Sequence, residues 1–222
     1  MANEARRERE RNVREGEMIS AAEKVFGRKG FRDASMDEIA TEAQFTKRTL
    51  YQYFENKEEL FFAAALKSFR RLYFYLVGEP ESAQSGLQKL RLGGQGYYRF
   101  SQECPGAMRL IGEIGQVKKS VGEGSQRLKE LMQFDNELFR WVARVIEEGK
   151  ADGSIRNDLD SVKATFSIIF MMTGFFNQLA LTGGTFLKHF SLEPQQFSEY
   201  SMNLMFDSIR NQASNPDAGG AP

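Results

Sequence analysis

Apolar positions recur at three- and four-residue intervals along almost the whole chain, and no run alternates as a strand would. Ile19, Ala22 and Phe26 follow i, i+3, i+7 on a first helix, which Gly30 can end in the left-handed conformation. Ser35 stands three residues before Glu38, the spacing of a capping box. A short second helix then puts Met36, Ile39, Ala40 and Ala43 on one face. A third starts at Thr46 and buries Leu50 and Phe54, four apart. Asn56 is placed to cap a longer fourth helix, which opens Lys57-Glu58-Glu59 and runs towards Val77 until Gly78-Glu79-Pro80 breaks it.

Further helices are expected over about 81–102, 105–118, 125–150, 159–181 and 194–211. The breaks between them are Cys104-Pro105-Gly106, Gly122-Glu123-Gly124, Ala151-Asp152-Gly153 and Gly183-Gly184. Gly93, Gly94 and Gly96 would together cost roughly 3 kcal/mol against alanine inside a helix, so a break, a kink or close helix packing is expected there, with room for a pocket. The pattern predicts an all-α chain of about nine helices. The tail over 213–222 is rich in Gly, Ala, Pro and Asn and is expected to be disordered.

Composition changes this picture little. Of 222 residues, 41% are hydrophobic and 27% charged, as in ordinary soluble globular proteins. Phe, at 19 residues against one Trp, leaves much aromatic surface to bury in a core, pocket or interface. Lys and Arg number 30, as do Asp and Glu, so nucleic-acid binding has to rest on where charges sit and not on their total. A single cysteine, Cys104, and a single histidine, His189, exclude a disulfide framework and a Cys/His zinc cluster. No metal or cofactor is expected, and the compartment implied is the reducing cytoplasm.

Arg6, Arg7, Arg9, Arg11 and Arg14 interleave with Glu4, Glu8, Glu10 and Glu15, which leaves no apolar signal-peptide core. This stretch is read as a solvated helix extension in preference to an arm that reaches DNA. Residues 164–181 are the best membrane candidate, but Ser167, Thr173, Asn177 and Gln178, with Lys163 at the edge, favour a buried helix, so no membrane partner is expected. The glycines at 93–96 follow no strand and precede no Gly-Lys-Ser/Thr, which argues against a phosphate loop. His189 reads as a surface or dimer-contact residue, and Cys104 as an inert thiol without a basic neighbour. Glu103 and Glu113 are isolated carboxylates, and no nucleophile motif appears, so the chain is not expected to be an enzyme.

Residues 35–57, SMDEIATEAQFTKRTLYQYFENK, carry the functional signal. Two short helices with about three residues between them form a helix-turn-helix, whose second helix can lie in the major groove of DNA. With Leu50 and Phe54 facing inward, Lys47, Arg48, Thr49, Tyr51, Gln52 and Tyr53 occupy the other faces. Lys and Arg neutralise phosphates or reach guanine, Gln pairs with adenine, and Thr can touch a thymine methyl. Lys57 adds a cation where a helix N-terminus already favours phosphate.

Together with the upstream helix, this stretch closely resembles the signature of the TetR family of bacterial transcriptional regulators. The match comprises Ile19-Ser20-Ala21-Ala22, Val25-Phe26, Gly30-Phe31, Met36, Glu38-Ile39-Ala40, Ala43, Thr49-Leu50-Tyr51, Tyr53-Phe54 and Lys57-Glu58-Glu59-Leu60, roughly the first quarter of the chain. The resemblance implies recognition-helix roles for Lys47, Arg48, Thr49, Gln52 and Tyr53, and phosphate contacts for Ser35, Thr46, Tyr51 and Lys57. One departure stands in the turn, where Gln44 replaces the usual Gly and Phe45 a smaller aliphatic residue. Gln at a positive φ costs about 1 kcal/mol relative to Gly.

The fold so implied is a three-helix DNA-binding head over residues 1–60 and a helical ligand-binding and dimerisation domain over 61–212. A double-stranded, palindromic operator, a second copy of the chain and a small apolar or aromatic effector are the expected partners. The expected action is repression relieved by the effector; a ligand-responsive activator with the same head is the alternative, followed by a helical protein that does not bind DNA or an enzyme. Tyr97, Tyr98, Phe100, Met108, Ile111, Phe134, Leu138, Trp141 and Phe170 are the candidate pocket residues, and Phe175 and Phe206 the candidate dimer contacts. Phe134, Leu138 and Trp141 repeat as a core stripe, while Phe166, Phe170, Met171, Phe175 and Phe176 cover more than one helix face, as a helix buried in a dimer interface would.

Overall fold

A computed structural model describes residues 2–78, 83–120 and 125–212 of the chain. Nine helices are found among them: α1 (Ala2–Asp33), α2 (Met36–Glu42), α3 (Lys47–Tyr53), α4 (Lys57–Val77), α5 (Gly86–Glu103), α6 (Pro105–Lys118), α7 (Gln126–Ala151), α8 (Ser161–His189) and α9 (Pro194–Asp207). The described residues contain no strand beyond an isolated bridge between Ile155 and Arg210. The expected break at Gly122-Glu123-Gly124, most of that at Gly78-Glu79-Pro80, and the tail over 213–222 lie outside the described residues.

The helices pack into two compact units, Met1–Arg71 with Glu103–Asp135, and Leu72–Gln102 with Asn136–Pro222. Helices α4 and α7 each contribute to both. The functional boundary drawn from sequence at 60/61 falls inside α4, eleven residues before this division.

In the first unit, Met18, Ala22, Val25 and Phe26 of α1 close on Ile39, Leu50, Phe54, Leu60, Phe61 and Phe62, with Leu110 of α6 and Leu131 of α7. Phe61 meets Phe26 and Phe31 edge-on at 5.3 and 5.2 Å, an arrangement that adds about 0.5–1.5 kcal/mol per pair beyond area burial. α1 and α6 touch backbone to backbone, because a Cβ on Gly27 would stand 2.9 Å from Gly106 Cα. Gly30 breaks the helical path of α1 with φ 82°. The segment beyond it is held from two sides. Phe31 N–H donates to the Glu113 carboxylate at 2.7 Å, and Lys57 Nζ donates to the Phe31 and Ala34 carbonyls at 2.9 and 3.0 Å.

In the second unit, one sequence expectation is corrected and another is narrowed. α8 runs through Gly183-Gly184 to His189 without a break. Buried Leu187 lies beyond the two glycines and gives that last turn a packing reason to persist, and Lys188 and His189 complement the C-terminal end of the dipole. α5 is likewise continuous through Gly93, Gly94 and Gly96. Of the three outcomes expected there, close packing is the one observed. A Cβ on Gly96 would stand 2.0 Å from the Tyr75 carbonyl oxygen, and one on Gly94 would stand 2.8 Å from the Phe206 ring.

α8 is also long and apolar enough to cross a bilayer by length and composition. Ser167, Asn177, Gln178 and Thr182 are nevertheless exposed along it, interspersed with exposed Val162, Phe166, Phe170 and Leu181. His189 is exposed, with its ring against Phe190.

Candidate nucleic-acid interface

The α2–α3 pair is built by its caps. Ser35 has extended backbone (φ −117°, ψ 153°), and its hydroxyl accepts the Glu38 N–H while the Glu38 carboxylate accepts the Ser35 N–H at 3.1 Å. Lys29 pairs with Glu38, and this hydrogen bond, with that from the Ser35 backbone, holds the Glu38 carboxyl below the ordinary carboxylate range. The turn passes through Gln44 at φ 58°, so a side chain occupies the left-handed position that glycine adopts without strain. Phe45 N–H donates to the Ala40 carbonyl at 2.9 Å, and Thr46 caps α3 by accepting the Thr49 N–H at 3.1 Å. Ile39, Ala40, Leu50 and Phe54 are buried and seat both helices on the core.

Lys47, Arg48, Tyr51 and Gln52 remain exposed on α3. A guanidinium and a carboxamide four residues apart share one helix face, where they can address a guanine and an adenine edge. Thr49 and Tyr53 are half-buried. The Thr49 hydroxyl lies 2.7 Å from that of Thr46, so the two sequence-predicted threonines engage each other. Arg11 of α1 lies over the Tyr53 ring, 5.7 Å from its centroid. Lys47 Nζ pairs with Asp37 at 2.7 Å, and that hydrogen bond raises the lysine's pKa above its ordinary value. Lys57, expected on a phosphate, spends two donors on the Phe31 and Ala34 carbonyls and lies over the Phe31 ring.

Residues 18–64 match the model of the family described as bacterial regulatory proteins, tetR family. The transcriptional activator FasR of Mycolicibacterium smegmatis is 29% identical over 148 residues, which cover 63% of this chain and 68% of FasR. The transcriptional repressor NicS of Pseudomonas putida is 24% identical over 173 residues, 77% of this chain and 78% of NicS. Over residues 18–64 the chain is thus similar to TetR-family regulators, and its relatives over most of its length are transcriptional regulators. Its fold is shared by FadR of Bacillus subtilis, solved in complex with stearoyl-CoA, with TM-score 0.69 over 87% of this chain and 98% of FadR at 17% identity.

The candidate pocket residues divide between the two units. Met108, Ile111 and Phe134 belong to the first unit, and Tyr97, Tyr98, Phe100, Leu138, Trp141 and Phe170 to the second. Within the second unit, the Tyr97 and Tyr98 rings lie 5.1 and 6.1 Å from Phe176, and burial pushes the Tyr97 hydroxyl well above its ordinary pKa. Phe170 is 67% exposed and faces outward, so it is not a lining residue. A cleft of about 920 Å³ opens in the first unit among α1, the helix-turn-helix turn, α4 and α7, and one of about 670 Å³ beside Cys104 and Arg109. None of the nine candidates lines either cleft.

Neither candidate dimer contact is exposed on the single chain. Phe206 is 2% exposed, filling the space left by Gly94 within its own unit, so its ring belongs to the core of the single chain. Phe175 is half-buried between Phe176 and Phe197. Val162, Phe166 and Phe170 form an outward apolar stripe at i, i+4, i+8 on α8, and Tyr200 and Leu204 are exposed on α9. The contacts of Asp37, Glu113 and Arg11 emerged only from the structure, because each acts across a sequence gap that no helical spacing encodes. Arg71 Nη1, 3.8 Å from Cys104 Sγ, likewise supplies the basic neighbour that the sequence did not indicate.

Proposed function

We propose that this regulator acts in the cytoplasm as a homodimer on a palindromic operator, represses transcription, and releases DNA when a small apolar or aromatic effector enters its body. Arg48 and Gln52 read base edges, while Lys47, Tyr51 and the Ser35 and Thr46 caps face phosphates, with the remaining donor of Lys57 beside them. The observation that carries this is the exposed Lys47-Arg48-Tyr51-Gln52 face of α3, held over buried Leu50 and Phe54. The exposed stripe of α8 and α9 supports the dimer, and the aromatic cluster around Phe176 supports an apolar effector. Activation of transcription is the second reading, favoured by the match to an activator.

The test begins with selection of bound duplexes from a random 40 base-pair pool, followed by fluorescence anisotropy on the recovered sequence. Arg48→Ala or Gln52→Ala should relax preference at one base position per half-site, by roughly 5- to 150-fold. Stearoyl-CoA, the ligand of the structurally similar FadR, is the first effector probe; release of the duplex with coupling of about 5- to 150-fold is expected. An unchanged base preference in both variants would overturn the recognition assignment. Equal DNA affinity with and without this probe would remove acyl-CoA from the effector class.

A further inference from the structure

The geometry points to the α1 extension before Met18 as a second DNA-contacting element, an arm whose Arg7, Arg11 and Arg14 meet phosphates flanking the base pairs read by α3. This builds on α3 as the recognition helix and adds a surface outside the matched family segment, which begins at residue 18.

α1 is helical from Ala2, so the orientation of its early side chains follows from helical geometry. At about 100° per residue, Arg7, Arg11 and Arg14 fall within about 40° of Met18, the first fully buried residue of the core-facing stripe. Arg9 lies about 180° away and Arg6 about 120° away. The five arginines are therefore not evenly spread, although they alternate with glutamates in sequence. Three of them continue the line that packs on the head, after the head itself has ended. Arg11 shows where that line leads, since its guanidinium lies over Tyr53, the last residue of α3.

The acidic residues do not cancel this stripe equally. Glu15 is taken by Arg127 and Glu10 by Arg6, and Glu8 falls about 80° off the axis. Glu4 is the carboxylate that shares the stripe, a turn beyond Arg7. Arg7, Arg11 and Arg14 are exposed and, among the described residues, have no ion-pair partner. A run of five arginines and, with Glu17, five glutamates thus presents a cationic edge beside the recognition helix. Arginine forks bind phosphate oxygens well, and each neutralised phosphate releases counterions.

The duplex recovered by selection serves as the probe, with anisotropy measured over a salt series. Arg7→Ala with Arg14→Ala should reduce the salt slope by about 2 per protomer and weaken binding at least tenfold near 0.1 M salt, with base preference unchanged. Arg9→Ala, on the opposite face, should stay within about twofold of the parent. Hydroxyl-radical footprints should lose protection at the outer ends of the site and keep it at the centre. All three sites are exposed, and unchanged circular dichroism confirms folding. If the double variant matches Arg9→Ala in slope and footprint while Arg48→Ala still alters base preference, the arm is overturned and the recognition helix stands. If Arg48→Ala is also without effect, both fall.

Discussion

Lys47 holds Asp37 at 2.7 Å on the face assigned to DNA, so a phosphate arriving there would have to displace one carboxylate before it gained this cation. The pair is solvent-exposed, with 49% and 67% of the two side chains accessible, and such pairs contribute little to stability. Its effect on binding is larger than on folding, because Asp37 also repels the incoming backbone. Asp37→Asn should strengthen binding to any duplex roughly two- to fivefold, without changing base preference or the midpoint of unfolding. Anisotropy on the selected and on a scrambled duplex checks this; a gain confined to the selected sequence would mean that Asp37 acts on readout instead. The Ser35–Glu38 box was legible in sequence because it is fixed within four residues, whereas the positive φ at Gln44 was implied by the resemblance, which places a glycine there. The Lys47–Asp37 and Arg11–Tyr53 contacts were not legible, since they join helices whose crossing no local spacing reports.

Glycine marks the limit of the same legibility among whole helices. By local cost alone, Gly93, Gly94 and Gly96 weaken α5, and Gly183-Gly184 should end α8. Both helices run on, because burial of residues distant in sequence outweighs a local cost of about 1 kcal/mol per glycine. Gly96 lets the Tyr75 carbonyl approach to where a methyl would be, and Gly94 receives the Phe206 ring. Gly96→Ala should therefore destabilise the protein by about 1–3 kcal/mol in urea unfolding, despite alanine's higher helix propensity. Gly115→Ala, a helical position in α6 with open space around it, should move the other way by up to about 1 kcal/mol. Equal and favourable shifts at both positions would show that α5 has room to spare. The nine helices were readable from apolar spacing, which shows which face of a helix is apolar without showing what that face meets.

At the scale of the whole molecule, the exposed stripe of Val162, Phe166 and Phe170 on α8, with Tyr200 and Leu204 on α9, is the surface assigned to a second copy. Phe170→Glu should give monomers by sedimentation velocity at micromolar concentration with unfolding unchanged, since this ring is 67% exposed in the single chain. Phe206→Glu should instead unfold the chain, because the new carboxylate would be buried against Gly94. A dimeric Phe170→Glu variant would move the interface elsewhere. With the stripe as the interface, promoter occupancy becomes a function of copy number squared while monomers prevail, and of copy number itself once dimers dominate. The few phenylalanines on the outer face of one helix would then set how sharply a promoter responds when the cell doubles its supply of this chain.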